Sequence, residues 1–293
     1  MTNPEARYTL GAVHEADGSV RRVYVPSAEL RREQNDVLHS MHRAGLERHM
    51  THAHGGIRGR SSLTNARAHQ DGKDFYKLDL WHAYGSVQAD HLKQMATVAM
   101  TYVVEIAGPD EVDDIIDTTV MAQGIDGLPT GFATSPMFFN VYNMLLDTQL
   151  ASLGQENGLV YTRYLDDLTF SGPRHAFASK ALRRAIRSTI SEQPGASLRH
   201  SKSSIETMRR GVTVTGITLT PDPEYTYPAK ELLHGVDTYL TFCEAKALSG
   251  QPLIANELDR LRGYNSVLHM AGPPDESKSK YVTQLYERYK NMV

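Results

Sequence analysis

Residues 161–172 read Tyr-Thr-Arg-Tyr-Leu-Asp-Asp-Leu-Thr-Phe-Ser-Gly, and the architecture of the chain turns on this stretch. Tyr161, Tyr164, Leu165, Leu168, Thr169 and Phe170 are β-formers on either side of two adjacent carboxylates, Asp166 and Asp167. The pattern is strand, two-residue tip, strand. A bare Asp-Asp pair is an ordinary solvated turn. The aromatic residue before this pair and the apolar residues on both sides predict instead a tip held rigidly against a core. Adjacent carboxylates on a rigid tip repel each other unless a cation lies between them, and magnesium is the hard divalent ion that such oxygens select.

A two-metal site for phosphoryl transfer needs a further carboxylate from another strand, to bridge ions ~3.5–4 Å apart. Asp79 is the candidate. It lies in FYKLDLWHAYGSV (75–87), where Phe75, Leu78, Leu80, Ala83, Tyr84 and Val87 mark an apolar strand running into a turn or short helix. An Asp in such a run is costly to bury without a partner. At this point the chain resembles the reverse transcriptases: Asp79 is followed five residues later by Tyr84, and Tyr164 to Asp167 supply aromatic, any residue, Asp-Asp. The resemblance implies that Asp79, Asp166 and the carbonyl of Leu80 hold two Mg2+ ions with Asp167 in support. It also implies that Tyr84 lies under the sugar and excludes a 2′-hydroxyl.

Composition sets wider bounds. The chain has 293 residues, 40% apolar and 22% charged, enough to bury a large core. A single cysteine, Cys243, excludes an internal disulfide framework and suits a reducing cytoplasm. The N-terminal residues show no basic and apolar leader pattern, and the longest apolar run, Met95 to Ile106, is broken by Thr97, Thr101 and Glu105, so no membrane association is expected. A net charge of −3 argues, taken alone, against nucleic acid as partner. The charge is nonetheless segregated. Between Pro173 and Val212 nine basic residues face only Glu192 and Glu206, whereas Tyr102 to Thr130 holds seven acids and no Lys or Arg. Such a basic stripe reads either as a solvated helix or as one nucleic-acid-facing side.

Along the chain, Arg7 to Leu10 and Arg21 to Val25 are strand-like, and Ser27 caps an amphipathic helix that Gly45 stops. In HAHGGIRGRSSLTNARAHQ (52–70), His52, His54 and His69 lack carboxylate or cysteine neighbours at metal-ligand spacing. Gly55, Gly56 and Gly59 around Arg58 predict a flexible loop in which Arg58 and Arg60 grip phosphate oxygens. The run His54-Gly55, Arg58 to Ser61, Asn65-Ala66 and His69 resembles the fingers of bacterial retron reverse transcriptases. That likeness implies triphosphate contact by Arg58 and Arg60, and a local-fold or RNA-contact role for Asn65 and His69.

Helices without a catalytic candidate are expected over 90–121. In GLPTGFATSPMFFNVYNMLLD (127–147), Gly127 and Pro129 mark a turn, Gly131 permits close backbone approach, and Ser135-Pro136 opens a helix. The segment resembles the second reverse-transcriptase motif, with Thr130 where the family usually has Gln; the resemblance makes Thr130 and Gly131 part of the floor for nucleotide and template base. Residues 176–190 predict a basic amphipathic helix, and 211–220 alternate as a strand. By the resemblance Lys202 lies near the leaving pyrophosphate as a general acid. Val214-Thr215-Gly216 matches a second retron signature, tied to the primer grip and RNA recognition. The segment 257–270, with Leu261 and Gly263, resembles the helical thumb, with a break expected at 272–274.

The expected fold is α+β, a right-hand polymerase with helical fingers, an antiparallel ferredoxin-like palm and a small helical thumb. The segments are 1–74 (fingers), 75–90 (palm), 91–126 (fingers and palm helices), 127–224 (palm) and 225–293 (thumb). The expected function is RNA-directed DNA synthesis on a structured non-coding RNA that becomes joined to its DNA copy. Deoxynucleoside triphosphates are substrates and antiphage defence works through an effector on another chain. Two alternatives stand beside it: a defence-associated or group II intron-derived reverse transcriptase that is not a retron enzyme, and a catalytically quiet RNA-binding scaffold.

Overall fold

The computed structural model describes residues 7–14, 20–122, 124–222, 227–253, 257, 258, 261, 263, 264, 267, 280–290 and 292. The chain divides into two compact units, residues 1–61 with 71–206, and 62–70 with 207–293.

The first unit begins with an antiparallel hairpin, β1 (Tyr8–His14) and β2 (Val20–Pro26), which extends both strand-like stretches of the sequence. Helix α1 (Ala28–Ala44) starts where Ser27 Oγ accepts from the Leu30 amide at 3.1 Å. It ends at Gly45, whose φ of 77° is the left-handed cap that glycine supplies without a Cβ penalty. A short helix α2 (Ser62–Arg67) belongs to the second unit. After strand β3 (Asp74–Asp79), helices α3 (Ala89–Thr97) and α4 (Pro109–Ile115) each run on into a π-type turn. Asp110, Glu111, Asp113, Asp114 and Asp117 face solvent there.

Helices α5 (Ser135–Tyr142) and α6 (Met144–Glu156) lead to strands β4 (Val160–Tyr164) and β5 (Asp167–Gly172), then to α7 (Lys180–Glu192) and β6 (Ser204–Thr207). The sheet order is β4-β5-β3-β6. Taken with the chain order, this is the βαββαβ arrangement of the ferredoxin-like fold. Successive side chains of a strand point to opposite faces. Tyr76, Leu78, Tyr161, Leu168 and Phe170 therefore share one face, where they join Phe138, Phe139, Leu146, Leu150, Ile186 and Ile190 of the helices in one core. Lys77, Asp79 and Asp167 share the other.

The hairpin tip lies one residue earlier than the sequence pattern places it. Tyr164 pairs with Asp167, so the bend is Leu165-Asp166, and Leu165 takes a φ of 53°. A non-glycine residue there costs on the order of 1 kcal/mol. In return Asp167 heads β5, in register with Asp79 of β3.

In the second unit, strands β7 (Val212–Val214), β8 (Ile217–Leu219) and β9 (Tyr227–Pro228) form an antiparallel sheet. The stretch 211–220, expected as one strand, folds back on itself at Thr215-Gly216, where φ is 46° and 79°. Residue alternation is the same for a straight strand and a folded one; the glycine after Thr215 is what permits the turn. This hairpin groups with residues 62–70 and the C-terminal helices, so the division falls at 206/207 rather than at the expected palm–thumb boundary of 224. Helix α8 (Lys230–Leu248) and the helix Lys280–Lys290 bury Val236, Leu240, Cys243, Leu261 and Leu285 together. Arg288 links them through Glu244 and Asp237. Leu261 and Gly263 are described, but the expected break at 272–274 lies outside the described residues. Among the described residues no helix is long and apolar enough to cross a membrane.

Candidate active site

The carboxylates meet at the open end of the palm sheet. Asp79, the last residue of β3, is 4% exposed and stands opposite Asp167 across the antiparallel pair. Side chains so placed have Cβ atoms about 5 Å apart. The Leu80 amide donates to the Asp166 carbonyl at 2.9 Å, which ties the hairpin tip to β3 just beyond the pair. Burial, then the Asp166 charge, then that of Asp79 push the Asp167 carboxyl up to about 6. Lys202, in a helical turn before β6, brings its ammonium to 3.3 Å from Asp79 Oδ2.

Among the described residues, no three His, Cys, Asp or Glu side chains form a ready-made metal cage. The three expected carboxylates are adjacent and electrostatically coupled rather than closed around a point. Their donor set is nonetheless all oxygen, and burial together with the repulsion of Asp166 and Asp79 outweighs Lys202 and Lys77 at the Asp167 carboxyl. Those two properties fit a hard divalent cation. Among the described contacts none ends on the Leu80 carbonyl, whereas the Asp79 carbonyl accepts from the Arg199 amide at 2.8 Å.

Tyr84 lies beside this group. Burial and then the Asp166 charge push its phenol up to about 12, and its ring meets Phe139 edge-on at 5.4 Å. Its carbonyl accepts from the Leu128 amide at 2.8 Å, so the 127–131 turn clasps it. Gly127, at a φ of 73°, allows that contact: a Cβ there would stand 2.1 Å from the Tyr84 oxygen. Thr130 gives its carbonyl to the Tyr24 amide at 2.7 Å. A Cβ on Gly131 would meet the Tyr24 oxygen at 2.6 Å. The close approach that Gly131 permits is therefore to β2.

The glycine–arginine loop differs from expectation. Arg60 Nη1 donates to the carbonyls of Met50 at 2.6 Å, Thr51 at 3.0 Å and Ala53, so this guanidinium pins its own loop. Arg58 remains exposed. Gly55 and Gly56 serve packing rather than flexibility. A Cβ on Gly55 would stand 2.7 Å from the Leu165 backbone nitrogen, and one on Gly56 2.7 Å from Pro136. Asn140 Nδ2 also donates to the Gly55 carbonyl at 2.9 Å. Gly55→Ala should therefore move the hairpin tip that carries Asp166 and Asp167. Primer extension, the activity that the sequence resemblance implies, should then slow roughly 10- to 100-fold, as for displacements approaching 1 Å, with the melting temperature little changed; a wild-type rate would refute this packing role.

In the second unit Asn65, His69 and Val214 are each 0% exposed and offer no surface to RNA. Asn65 Nδ2 donates to Thr215 Oγ1 at 3.2 Å, and Thr215 Oγ1 donates to the Ser62 carbonyl at 3.3 Å. The two signature stretches thus lock onto each other, and Thr215 and Gly216 are the partly exposed members.

One group was missed from the sequence. Arg163 of β4, 0% exposed, forms a two-pronged pair with Asp147 of α6 at 2.9 and 2.7 Å. Its Nη1 donates to the Leu165 carbonyl at 3.0 Å, and Tyr161 donates to the same Asp147 at 2.8 Å. Burial works against the guanidinium charge, but Asp147 outweighs it and holds Arg163 above its ordinary value.

A ferredoxin-like sheet with coupled carboxylates on neighbouring strands and a tyrosine beside them belongs to the right-hand polymerase class. Within that class the sequence is decisive. The profile described as "Reverse transcriptase (RNA-dependent DNA polymerase)" matches residues 13–219, and the chain belongs to that family. It is 34% identical over 175 residues to the Retron Mx162 reverse transcriptase of Myxococcus xanthus, covering 56% of this chain and 35% of that one. It is 27% identical over 223 residues to the Retron Mx65 reverse transcriptase of the same organism, covering 72% and 51%. To the Retron Ec86 reverse transcriptase of Escherichia coli the identity is 23% over 279 residues, covering 92% and 78%. The chain thus spans about a third and about half of the two M. xanthus relatives. Among solved structures, telomerase from Candida albicans with a fragment of telomeric RNA aligns with a TM-score of 0.54 at 10% identity, over 97% of this chain and 56% of that one. The likeness is one of fold.

Proposed function

We propose that this protein is an RNA-directed DNA polymerase of retron type. It copies a structured non-coding RNA into DNA that stays joined to that RNA, in the cytoplasm, as part of an antiphage system whose effector is a separate chain. The observation that carries the polymerase reading is the cross-strand pairing of Asp79 with Asp167 beside Asp166, on a palm sheet of a reverse-transcriptase family member. The retron assignment leans on the names of the relatives.

In this reading Asp79, Asp166 and the Leu80 carbonyl hold two Mg2+ ions, and Asp167 supports them. The bound ions would make the primer hydroxyl more acidic and neutralise charge on the triphosphate and leaving pyrophosphate. Exposed Arg58 engages the triphosphate of the incoming deoxynucleotide. Lys202 supplies the proton to pyrophosphate from its place beside Asp79. Thr130 lines the template side in place of the usual Gln. Thr215 and Gly216 approach the primer.

The test is extension of a primed RNA by the purified protein with magnesium and deoxynucleotides. Extension is expected; none would favour an RNA-binding scaffold. Sequencing the nucleic acid that copurifies from cells separates a retron enzyme, with one RNA joined to its DNA copy, from other reverse transcriptases. Tyr84→Ala should lower discrimination against ribonucleotides roughly 10- to 100-fold, the range for one lost steric contact. Unchanged sugar selection in that variant would remove Tyr84 from the gate.

A further inference from the structure

A cleft of about 460 Å³ opens between α7 and β6, lined by Tyr76, Lys180, Arg183, Arg184, Arg187 and Ser203 to Ile205. It lies on the other side of the sheet from the catalytic carboxylates. Tyr76 alternates with Lys77 and Asp79 along β3, so its ring points away from them, toward Phe177 and α7. The four cations recur at helical spacing along one wall, over about 10 Å from Lys180 to Arg187. Among the described residues none of them has an acidic partner within ion-pair distance, although the molecule pairs many other cations. Instead the wall is pre-arranged by neutral contacts. Arg187 Nε donates to the Tyr76 hydroxyl at 2.7 Å and lies over that ring, and Arg183 Nη1 donates to the Phe177 carbonyl at 2.8 Å. The opposite wall is the β6 edge at Ser203 to Ile205; the Ser203 and Ser204 hydroxyls are turned to the Arg199 carbonyl at 3.5 Å and the Glu206 carboxylate at 2.8 Å, and Ile205 stands 46% exposed at the rim.

We propose that this cleft binds the phosphate backbone of an RNA duplex, separately from the duplex being extended. A row of unpaired cations along one helix matches a polyanion of regular spacing. The inference rests on the polymerase reading in one respect: an enzyme that copies part of a folded RNA must hold the uncopied part while the copied end moves through the active site. A groove on the reverse face of the palm does so without blocking the site.

The experiment measures binding of a fluorescent RNA hairpin that lacks a recessed 3′ end, across a salt series. The proteins are wild type, Lys180→Gln/Arg184→Gln, and Ile205→Glu, which places an acid at the rim without touching α7. The double variant is expected to bind on the order of tenfold more weakly, with a salt slope smaller by about 2, one for each lost phosphate contact. Ile205→Glu should weaken binding in the same direction. Extension of a short primed template should stay at the wild-type rate in both. Unchanged affinity and slope in both variants, or a DNA hairpin or polyglutamate that binds wild type better than the RNA does, would overturn the proposal. If wild type extends no primer, the polymerase reading fails instead, which the binding arm does not measure.

Discussion

Asp166→Asn should leave a folded protein that still binds RNA yet extends a primer on the order of 10³-fold more slowly than wild type. The estimate follows from the several kcal/mol of transition-state charge stabilisation that carboxylate-held metal ions supply, each 1.36 kcal/mol being tenfold in rate. Single-turnover extension on a primed RNA reads it. A loss of less than tenfold would show that Asp166 holds no metal that matters to the chemistry. Asp167→Asn separates catalysis from folding. The folded-state value of Asp167 stands near 6, above the ordinary carboxylate value of 3.8, so the ionised form destabilises the fold. A group that binds its proton more tightly when folded adds stability as pH falls. That contribution is lost as pH rises through about 4 to 6. The Asn variant should therefore melt at or above the wild-type temperature at pH 8, and its advantage should shrink as pH falls below 6. A variant less stable than wild type at pH 8 would mean that Asp167 is held by partners that stabilise its charge.

The parts of the site legible in the sequence are those whose residues lie close together along the chain. Asp79 and Tyr84 are five residues apart on one strand-turn unit, and the hairpin carries both of its acids, so the sheet topology needed only to bring two short segments side by side. The position of the bend was not legible. Asp166 and Asp167 are equally good turn residues, and what holds the bend at Leu165-Asp166 depends on distant partners: the Arg163 guanidinium that meets the Leu165 carbonyl is itself fixed by Asp147, and Gly55 packs against the Leu165 nitrogen. Arg60 misled for a similar reason. A guanidinium in a glycine loop has the same sequence signature whether it meets phosphate or three carbonyls of its own loop. For Asn65 the family motif allows either a local-fold or an RNA-contact role, and its bond to Thr215 is of the first kind: the two motifs hold one helix to one turn. A signal for Arg163 was available. Tyr161 and Arg163 alternate with Thr162 on β4, which places a charge at an inward-facing position, and Asp147 lies on the helix just before that strand.

Asp147→Asn should lower stability by about 3–5 kcal/mol, the range for breaking a buried ion pair and leaving one charge uncompensated. For a chain of this size that corresponds to a fall in melting temperature on the order of 10 °C. The same substitution should slow extension, because Arg163 holds the Leu165 carbonyl at the bend that presents Asp166 and Asp167. The two effects are separable. In Asp147→Leu/Arg163→Met/Tyr161→Phe the pair and the phenol that donates to it are removed together, so no buried charge or orphaned hydroxyl remains, and apolar replacements of similar size recover most of the stability. Activity should not recover with it, since the Leu165 carbonyl loses its donor and the left-handed bend its anchor. Arg163→Lys should also fail, because an ammonium cannot hold both Asp147 oxygens and reach Leu165 at once. A triple variant that is stable and fully active would show that the pair serves only the core. One that is stable and slow, with nucleotide affinity unchanged, is the outcome expected if Arg163 positions the catalytic hairpin.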